Sequence, residues 1–216
     1  MKKIGIIIGA ILGILILLLV AIYFSITTSI DSTPYFKASY YKTTEARLDS
    51  LKNNLIVSND SVNAGFSKVS ITPSIGNSED NVEAGKFKEA PLAGFGARKG
   101  KSATGVHDSV FLKAAAIKVG SQLVVIVGAD ILILPPNIID EATIVLEKQG
   151  VHRDQVFYAA SHTHSSIGGW GPGFIGEQFA GKANPHINQW LVQQIAQAVT
   201  SAISDLKPAR IGNGYF

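Results

Sequence analysis

Two histidines separated by one residue, His162 and His164, are the side chains of this sequence best suited to chemistry. They follow an apolar run at 156–160, which predicts a buried strand. Side chains two residues apart on a strand point to the same face, so the two imidazoles are expected to leave the strand end side by side. Gly168 and Gly169 follow and let the backbone turn in front of the rings. Two co-facing imidazoles beside an open loop suit a divalent metal, zinc above all.

The same pair also has a structural interpretation, in which the two histidines are hydrogen-bonded polar residues at a strand end. Hydroxyl groups at positions 161, 163, 165 and 166 surround the rings. Such hydroxyls are also the partners that hold a metal-binding imidazole in place from behind. The spacing of the histidines therefore leaves both interpretations open.

The first 30 residues predict a membrane anchor rather than part of a globular fold. The segment 4–24 is almost wholly apolar, and about 20 apolar residues suffice for a helix to cross the hydrocarbon core. A cleaved signal peptide is the alternative, but its apolar region would be shorter, roughly 7–15 residues. The residues after Phe24, Ser25-Ile26-Thr27-Thr28, do not form a convincing cleavage site. Lys2 and Lys3 favour a cytoplasmic N-terminus, which puts the rest of the chain outside the cytoplasm.

The remaining sequence predicts a stalk and one modest α/β domain. Residues 31–62 are interpreted as a juxtamembrane stalk with a short helix over 44–55. Residues 63–216 are long enough for a single domain. The order of the predicted elements suggests that they form the amino-terminal portion of one. The net charge is +3 and no basic run with interleaved aromatics occurs, so no nucleic-acid partner is expected. The sequence contains no cysteine, which excludes disulfides.

The pattern within 63–216 predicts a partial mixed sheet that contains a β-α-β unit. Strands are expected over 64–71, 111–119, 122–129 and 156–160, and mostly loop over 74–104. A helix from Pro135 and Pro136 to about Gln149, closed by Gly150, joins the last two strands and makes them parallel.

The composition of two further segments extends this prediction. Because 122–129 is nearly continuous in Val and Ile, we expect it to be covered on both faces. A second helix is expected over 185–206, and 209–216 is expected to begin another strand. A chain that stops inside an apparent strand suggests an amino-terminal fragment of a longer domain.

Three more polar residues lie near the predicted strand ends. Asp130 follows the 122–129 strand and is expected to cap the next helix, although it could instead orient a site group. Arg98, in a Gly-rich loop, is expected to anchor that loop or stay solvated rather than clamp a substrate. His107 is expected to be a structural histidine between loop and strand.

Other H-x-H enzymes fit this pattern poorly. Metallo-β-lactamase-like hydrolases need an Asp and a further His just after the pair, amidohydrolase barrels place the pair on their first strand, and cupins are all-β. The chain instead resembles, from about residue 64 to 216, the amino-terminal part of neutral/alkaline non-lysosomal ceramidases and their bacterial relatives. The resemblance rests on 64–73 (AGFSKVSITP), 91–98 (PLAGFGAR), 105–108 (GVHD) and 162–169 (HTHSSIGG).

The resemblance implies a zinc-dependent amidase that splits N-acyl sphingosines into a sphingoid base and a fatty acid. It implies that His162 ligates zinc and that His164 lies in the active site near the substrate. The family's other ligands (a His, a Glu and a Tyr) and its serine nucleophile belong to later motifs, and none of these motifs occurs before Phe216. Ser166 and Ile167 replace the family's Gly and Pro, a departure that bears on loop shape and substrate class.

We therefore expect a membrane-anchored, extracytoplasmic fragment of a ceramidase-like zinc hydrolase that acts on lipid amides. The alternative is a non-catalytic membrane-anchored module that retains the fold without the nucleophile.

Overall fold

A computed structural model of the chain describes residues 2–28, 31–53, 58–212 and 214. The chain divides into two compact units, Met1–Val57 and Ser58–Phe216. We describe each unit by itself.

The first unit is helical. Helix α1 spans Lys2–Thr28, and its stretch Lys2–Ile26 is long and apolar enough to cross a membrane. Anchors and secretory signal sequences share these properties. After a single 3₁₀ turn at Tyr35–Lys37, helix α2 spans Ser39–Asn53. It begins earlier than the predicted helix over 44–55, and the last two residues of that prediction lie outside the described residues.

The second unit is built on a five-stranded mixed sheet with the strand order β4-β3-β2-β1-β5. Strand β4 runs parallel to β3, and the other neighbouring pairs are antiparallel. The β-α-β prediction is therefore confirmed. The strands are β1 Val62–Ser70, β2 Phe111–Val119, β3 Gln122–Ala129, β4 Val156–Ala160 and β5 Lys207–Pro208.

Three helices accompany the sheet: α3 at Pro136–Glu147, α4 at Gly173–Ala180 and α5 at Pro185–Ser204. Proline at the first turn of α3 and α5 suits a helix start, because the missing amide hydrogen has no partner there in any case. Asn184 caps α5 by accepting a 2.9 Å hydrogen bond from the His186 amide. Gly150, with a φ of 79°, takes the left-handed conformation after α3, as the sequence predicted.

One face of the sheet forms the core together with α3 and α5. Helix α5 lies across β1, β2 and β3, and α3 packs against α5. Alternate strand residues point into this layer, as a period of two requires. A β-carbon on Gly65 would lie 2.7 Å from the Leu206 amide nitrogen, so β1 and the end of α5 approach closely only because position 65 is glycine. The core side chains of the central strands are Leu112, Ala114, Ala116, Val125, Val127 and Ala129.

The opposite face of the sheet is apolar and exposed, which corrects the expectation that β3 is covered on both sides. Val124 and Ile126 on β3 are 46% and 44% exposed, and Phe157 on β4 and Phe66 on β1 are also exposed. Within the described residues of this unit, α5 and the α3 helix packed on it cover the core face, and the alternate side chains of β3 lie exposed on the opposite face.

The last strand is shorter than predicted and begins earlier. Strand β5 is confined to Lys207–Pro208, which pairs with Ala64 and Asn63, and the described residues from Ala209 to Gly212 are not strand. The reason is that β1 begins at Val62. The Ala209 amide still donates to the Val62 carbonyl oxygen at 2.9 Å, and beyond this bond β1 offers no further partner. The rest of the predicted strand lies largely outside the described residues.

Candidate functional site

The loop that carries the two histidines begins where the parallel strands end. Strand β4 stops at Ala160, and the Ser161 amide donates to the Ala129 carbonyl oxygen at 2.9 Å, which ties the loop to the end of β3. His162 then has a φ of 60°, in the left-handed region. A non-glycine residue held there stores about 1–3 kcal/mol of strain, and such strain clusters at functional sites.

The imidazole of His162 is fixed through one ring nitrogen. Its Nδ1 lies 2.9 Å from the carbonyl oxygen of Leu132, in the segment between β3 and α3. A carbonyl oxygen only accepts hydrogen bonds, so Nδ1 carries a proton, and in the neutral imidazole the lone pair lies on Nε2. The residue is exposed, which leaves Nε2 accessible to a ligand. This arrangement, with Nδ1–H bound to a backbone carbonyl, is typical of metal-binding histidines.

His164 lies beside His162, with the ring centroids 5.0 Å apart and the ring planes at 66°. The rings meet as the sequence predicted, but not by strand alternation, because both residues follow the end of β4 and His162 has left the extended conformation. The His164 ring also packs edge-on against Phe95 at 4.7 Å. Its Nδ1 is buried and has no hydrogen-bond partner within the described ranges.

A second loop, over residues 91–98, holds the histidine loop in place. The Ala93 amide donates to the Ser166 carbonyl oxygen at 3.1 Å, and the Gly168 amide donates to the Pro91 carbonyl oxygen at 2.6 Å. Leu92 and Ile167 form an isolated antiparallel bridge between the same segments. The PLAGFGAR and HTHSSIGG segments, which are far apart in sequence, therefore form one hydrogen-bonded unit.

Gly94 and Arg98 support His164 directly. A β-carbon on Gly94 would lie 2.6 Å from His164 Cγ, and Gly94 has a φ of 82°. Arg98 Nη1 donates to the carbonyl oxygens of His164 and Ala93, at 2.9 and 3.4 Å. The expectation that Arg98 anchors its loop is thereby confirmed, and the residue it anchors is the histidine itself.

Two other predicted candidates have different partners. Asp130 accepts hydrogen bonds from the Phe111 amide at 3.1 Å and from Lys113 Nζ at 3.4 Å. The N-cap of α3 is Pro135 and receives no side-chain cap, so the capping prediction for Asp130 is wrong: its carboxylate turns back to the start of β2. The imidazole of His107 pairs with Asp108 at 2.8 Å on the surface.

No group of three or more His, Asp or Glu side chains in the described ranges is placed to hold a metal ion. The described part of the site therefore provides His162 and, next to it, His164. Sequence reasoning missed Leu132, whose contribution is a main-chain oxygen and has no side-chain signature. It also missed helix α4, whose Phe179 carbonyl oxygen accepts from the Gly94 amide at 2.7 Å.

The fold is of the α/β class, a mixed sheet with helices packed on it, and two histidines lie at the carboxyl end of its parallel strand pair. Two solved structures share the fold. A neutral ceramidase from Pseudomonas aeruginosa aligns with a TM-score of 0.58 and 19% identity over 69% of this chain. A ceramidase complexed with C2 aligns with a TM-score of 0.56 and 20% identity over the same share.

These alignments confirm the predicted likeness to neutral ceramidases at the level of the fold. The chain spans 22% of the length of each of these two proteins. No protein-family model and no curated protein sequence matches the chain.

Proposed function

We propose that this chain carries the amino-terminal part of a zinc-dependent amide hydrolase of the neutral ceramidase type. In this proposal His162 is a zinc ligand, His164 lies beside the reacting amide, and the substrate is an N-acyl sphingosine-like lipid. The observation that carries the proposal is the 2.9 Å contact from His162 Nδ1 to the Leu132 carbonyl oxygen, which leaves Nε2 as the ring nitrogen available to a metal. The ring centroid of His162 lies 5.0 Å from that of the second imidazole, His164.

The residues present fit a zinc ion as part of a site. Neutral imidazole is a good zinc ligand. A protein usually orients such a ligand by a hydrogen bond at the ring nitrogen that does not bind the metal. A catalytic zinc site generally uses three protein ligands, so His162 needs partners from elsewhere. When bound, zinc would polarise the amide carbonyl as a Lewis acid.

The role proposed for His164 follows from its surroundings. The ring is half-buried between Phe95 and His162, and its Nδ1 has no partner in the described part of the chain. A neutral imidazole can accept a proton at one ring nitrogen and donate one from the other, which is the chemistry of a general acid-base group. Gly94 packs against the ring and Arg98 holds the main chain of His164, which supports the fixed position that general acid-base chemistry requires.

The lipid nature of the proposed substrate agrees with the apolar surroundings of the histidine pair. Phe95 packs edge-on against His164 and is 59% exposed, and Phe179 on α4 is 54% exposed. Helix α1 would keep the domain at a membrane surface, with the N-terminal lysines in the cytoplasm and the sheet outside it. This orientation and the retention of α1 in the mature protein are part of the proposal.

The competing proposal is a membrane-anchored module that keeps the fold without the chemistry. It is favoured by one observation, that the described residues bring no third metal-ligating side chain to the histidine pair. The two proposals differ in what the coding sequence beyond residue 216 contains. An in-frame Asp-Val-Ser-Pro-Asn segment there would supply the nucleophile and favour the enzyme.

The experiment that tests the enzyme proposal compares zinc binding and amide hydrolysis in three variants of the full-length gene product. We expect His162→Ala to weaken zinc binding by about tenfold or more, since even loss of an outer-shell partner costs that much. His164→Ala should keep most of the zinc and lose turnover of a fluorescent N-acyl sphingosine. His107→Ala is the matched control and should change neither quantity. Equal zinc content in the wild type and His162→Ala would reject the assignment.

A further inference from the structure

Helix α4 packs against the rest of its unit through its smallest residues. A β-carbon on Gly176 would lie 2.6 Å from the carbonyl carbon of Gly171, and Ala180, one turn further along the helix, is fully buried. The Gly169 amide donates to the Ala180 carbonyl oxygen at 2.6 Å, which ties the end of the helix to the segment that follows the histidines. The packed face of α4 is therefore built from a glycine and an alanine.

The large apolar side chains of α4 lie on its other side. Phe174, Ile175 and Phe179 are 80%, 72% and 54% exposed, and we call these three residues the α4 patch. At about 100° per residue they span an arc of about 140° of the helix surface, and Gly176 and Ala180 lie outside this arc. Because apolar burial is the main favourable term in folding, a helix that turns its large apolar residues outward indicates an interaction surface.

Three exposed lysines lie at the carboxyl end of the same helix. Lys182 follows the helix after one glycine. A β-carbon on Gly100 would collide with the main chain of Gly181, so the turn that carries Lys99 and Lys101 lies against the end of α4. We call these three lysines, all of them exposed, the basic border of the patch.

The charge next to the α4 patch is therefore mainly positive. Glu177 is the acidic residue of α4, and its carboxylate faces the Ala183 amide, 3.4 Å away. The three lysines of the basic border outnumber this carboxylate. An apolar patch beside a cluster of lysines matches the surface of a bilayer that contains anionic lipids, where apolar side chains enter the headgroup boundary and each lysine adds electrostatic attraction.

The chain also contains the element that would bring a bilayer within reach. Helix α1 is long and apolar enough to cross a membrane, and a chain anchored in this way keeps its second unit close to lipid headgroups. This step rests on the retention of α1, which belongs to the proposed function. It favours a lipid surface over a soluble protein as the partner of the patch.

We propose that the α4 patch docks on the surface of an anionic bilayer. Phe174 and Ile175 enter the boundary between headgroups and acyl chains, and the basic border lies at the level of the lipid phosphates. This contact is made by the second unit itself and is additional to the α1 anchor. Because the Gly94 amide donates to the Phe179 carbonyl oxygen at 2.7 Å, docking of α4 also holds the loop that supports His164 near the lipid.

The absence of cysteine from the sequence allows a direct test with the full chain in proteoliposomes. Gln178→Cys puts a single thiol on the exposed arc of α4 and leaves the three apolar side chains in place. Gln197→Cys, an exposed glutamine of helix α5, is the matched control. Each thiol carries a nitrobenzoxadiazole fluorophore, and its quenching by lipids with a nitroxide on the acyl chain is measured in phosphatidylcholine vesicles with and without phosphatidylglycerol.

We expect quenching at Gln178→Cys to exceed that at Gln197→Cys several-fold and to increase when phosphatidylglycerol is present. Adding Phe174→Ser should lower the ratio of docked to free protein about tenfold or more, the factor for withdrawing a large apolar side chain from lipid. Adding Lys182→Gln should lower it about fivefold in the anionic vesicles and leave it unchanged in phosphatidylcholine alone. Since Phe174 is largely exposed, its replacement should not change the unfolding midpoint.

Four results would overturn the proposal. Quenching at Gln178→Cys that is no greater than at the control would show that α4 does not meet the bilayer, and so would quenching that Phe174→Ser does not change. Equal quenching with and without phosphatidylglycerol would contradict the role of the basic border. A blue-shifted probe that the lipid nitroxides do not quench would show that protein, and not lipid, covers the patch.

These outcomes are distinguishable from failure of the proposed function. None of the readouts involves zinc or hydrolysis, so docking of α4 can be present in a protein without turnover and absent in one that has it. Carbonate extraction of the same vesicles reports separately whether α1 is inserted.

Discussion

A β-carbon on Gly94 would lie 2.6 Å from Cγ of His164, so the position of the second histidine depends on the absence of a side chain at residue 94. The loop around Gly94 and the loop around His164 are joined by main-chain hydrogen bonds. Moving one loop away from the other to make room would break these bonds. This contact makes the 91–98 segment part of the site although it contributes no ligand to it.

We expect Gly94→Ala to displace the His164 ring and to destabilise the second unit. The φ of 82° disfavours any β-carbon, and the clash adds to that cost. Together they should lower the free energy of unfolding by about 2 kcal/mol or more. Trp170 and Trp190, both buried in this unit, allow unfolding to be followed by fluorescence. Gly96→Ala is the control, because a β-carbon there meets nothing within 4 Å; equal losses in both variants would contradict the role of the contact.

Arg98 is expected to matter through its geometry rather than its charge. Both bonds come from Arg98 Nη1, and Arg98→Lys keeps the charge but replaces this donor with an ammonium on a shorter side chain, which does not reach the same position. We expect a loss of about 1–2 kcal/mol in unfolding free energy and faster amide exchange over 163–167. Lys101→Met, an exposed neighbour, should change neither measurement. Unaltered exchange in Arg98→Lys would show that the loop is held by other contacts.

Much of the sheet follows from local sequence pattern. The predicted ranges 111–119, 122–129 and 156–160 coincide with β2, β3 and β4 because β-branched and apolar residues there are bounded by glycine, proline or polar residues. Helix α3 was marked by proline at its start and Gly150 at its end. These signals are contained in neighbouring residues, so one sequence suffices to detect them.

The contacts that could not be predicted from the sequence are those made by main-chain atoms of residues that are far apart in the chain. The Leu132 carbonyl that fixes His162 is 30 positions away, and any residue type would supply that oxygen. The exposed face of β3 was missed for another reason. A run of Val and Ile looks the same whether both faces are covered or one is, because composition does not say which elements lie above the sheet.

The two faces of β3 should respond differently to the same truncation. Val127 is fully buried against the helices, whereas Ile126, the next residue, is 44% exposed. We expect Val127→Ala to lower the unfolding free energy by about 2 kcal/mol and Ile126→Ala to lower it by well under 1 kcal/mol. The comparison is made by urea unfolding of both variants under one set of conditions. The reverse order would mean that the helices lie on the other face of the sheet.

Helix α1 is expected to remain attached and to hold the protein in the membrane. The span Lys2–Ile26 is longer than the apolar region of a typical signal peptide. With a C-terminal tag, the protein should stay in the pellet after carbonate extraction and should keep its N-terminal residues by mass spectrometry. Replacing Leu17 and Leu18 with Arg should release it, since charges at the centre of a span are costly. A mature N-terminus near residue 28 would show that α1 is a signal peptide instead.

Asp80 is expected to make the stability of the second unit fall at acidic pH. Hydrogen bonds from Asn184 Nδ2 at 2.9 Å and from the Lys88 amide at 2.8 Å, with a smaller contribution from His186, hold the pKa of this carboxyl below its usual value. These bonds connect the 74–90 loop to the start of α5. A carboxylate with a lowered folded pKa stabilises the fold above its unfolded pKa of about 3.9, and the stabilisation is lost as the pH falls through the folded value.

Asp80→Asn should therefore reduce the unfolding free energy at pH 7. The difference in unfolding free energy between this variant and the wild type should become smaller below about pH 4. The control is Asp108, whose exposed carboxylate pairs with His107: Asp108→Asn should follow the wild-type curve. A constant offset for Asp80→Asn at every pH would show that the Asp80 carboxylate contributes no proton-linked stability.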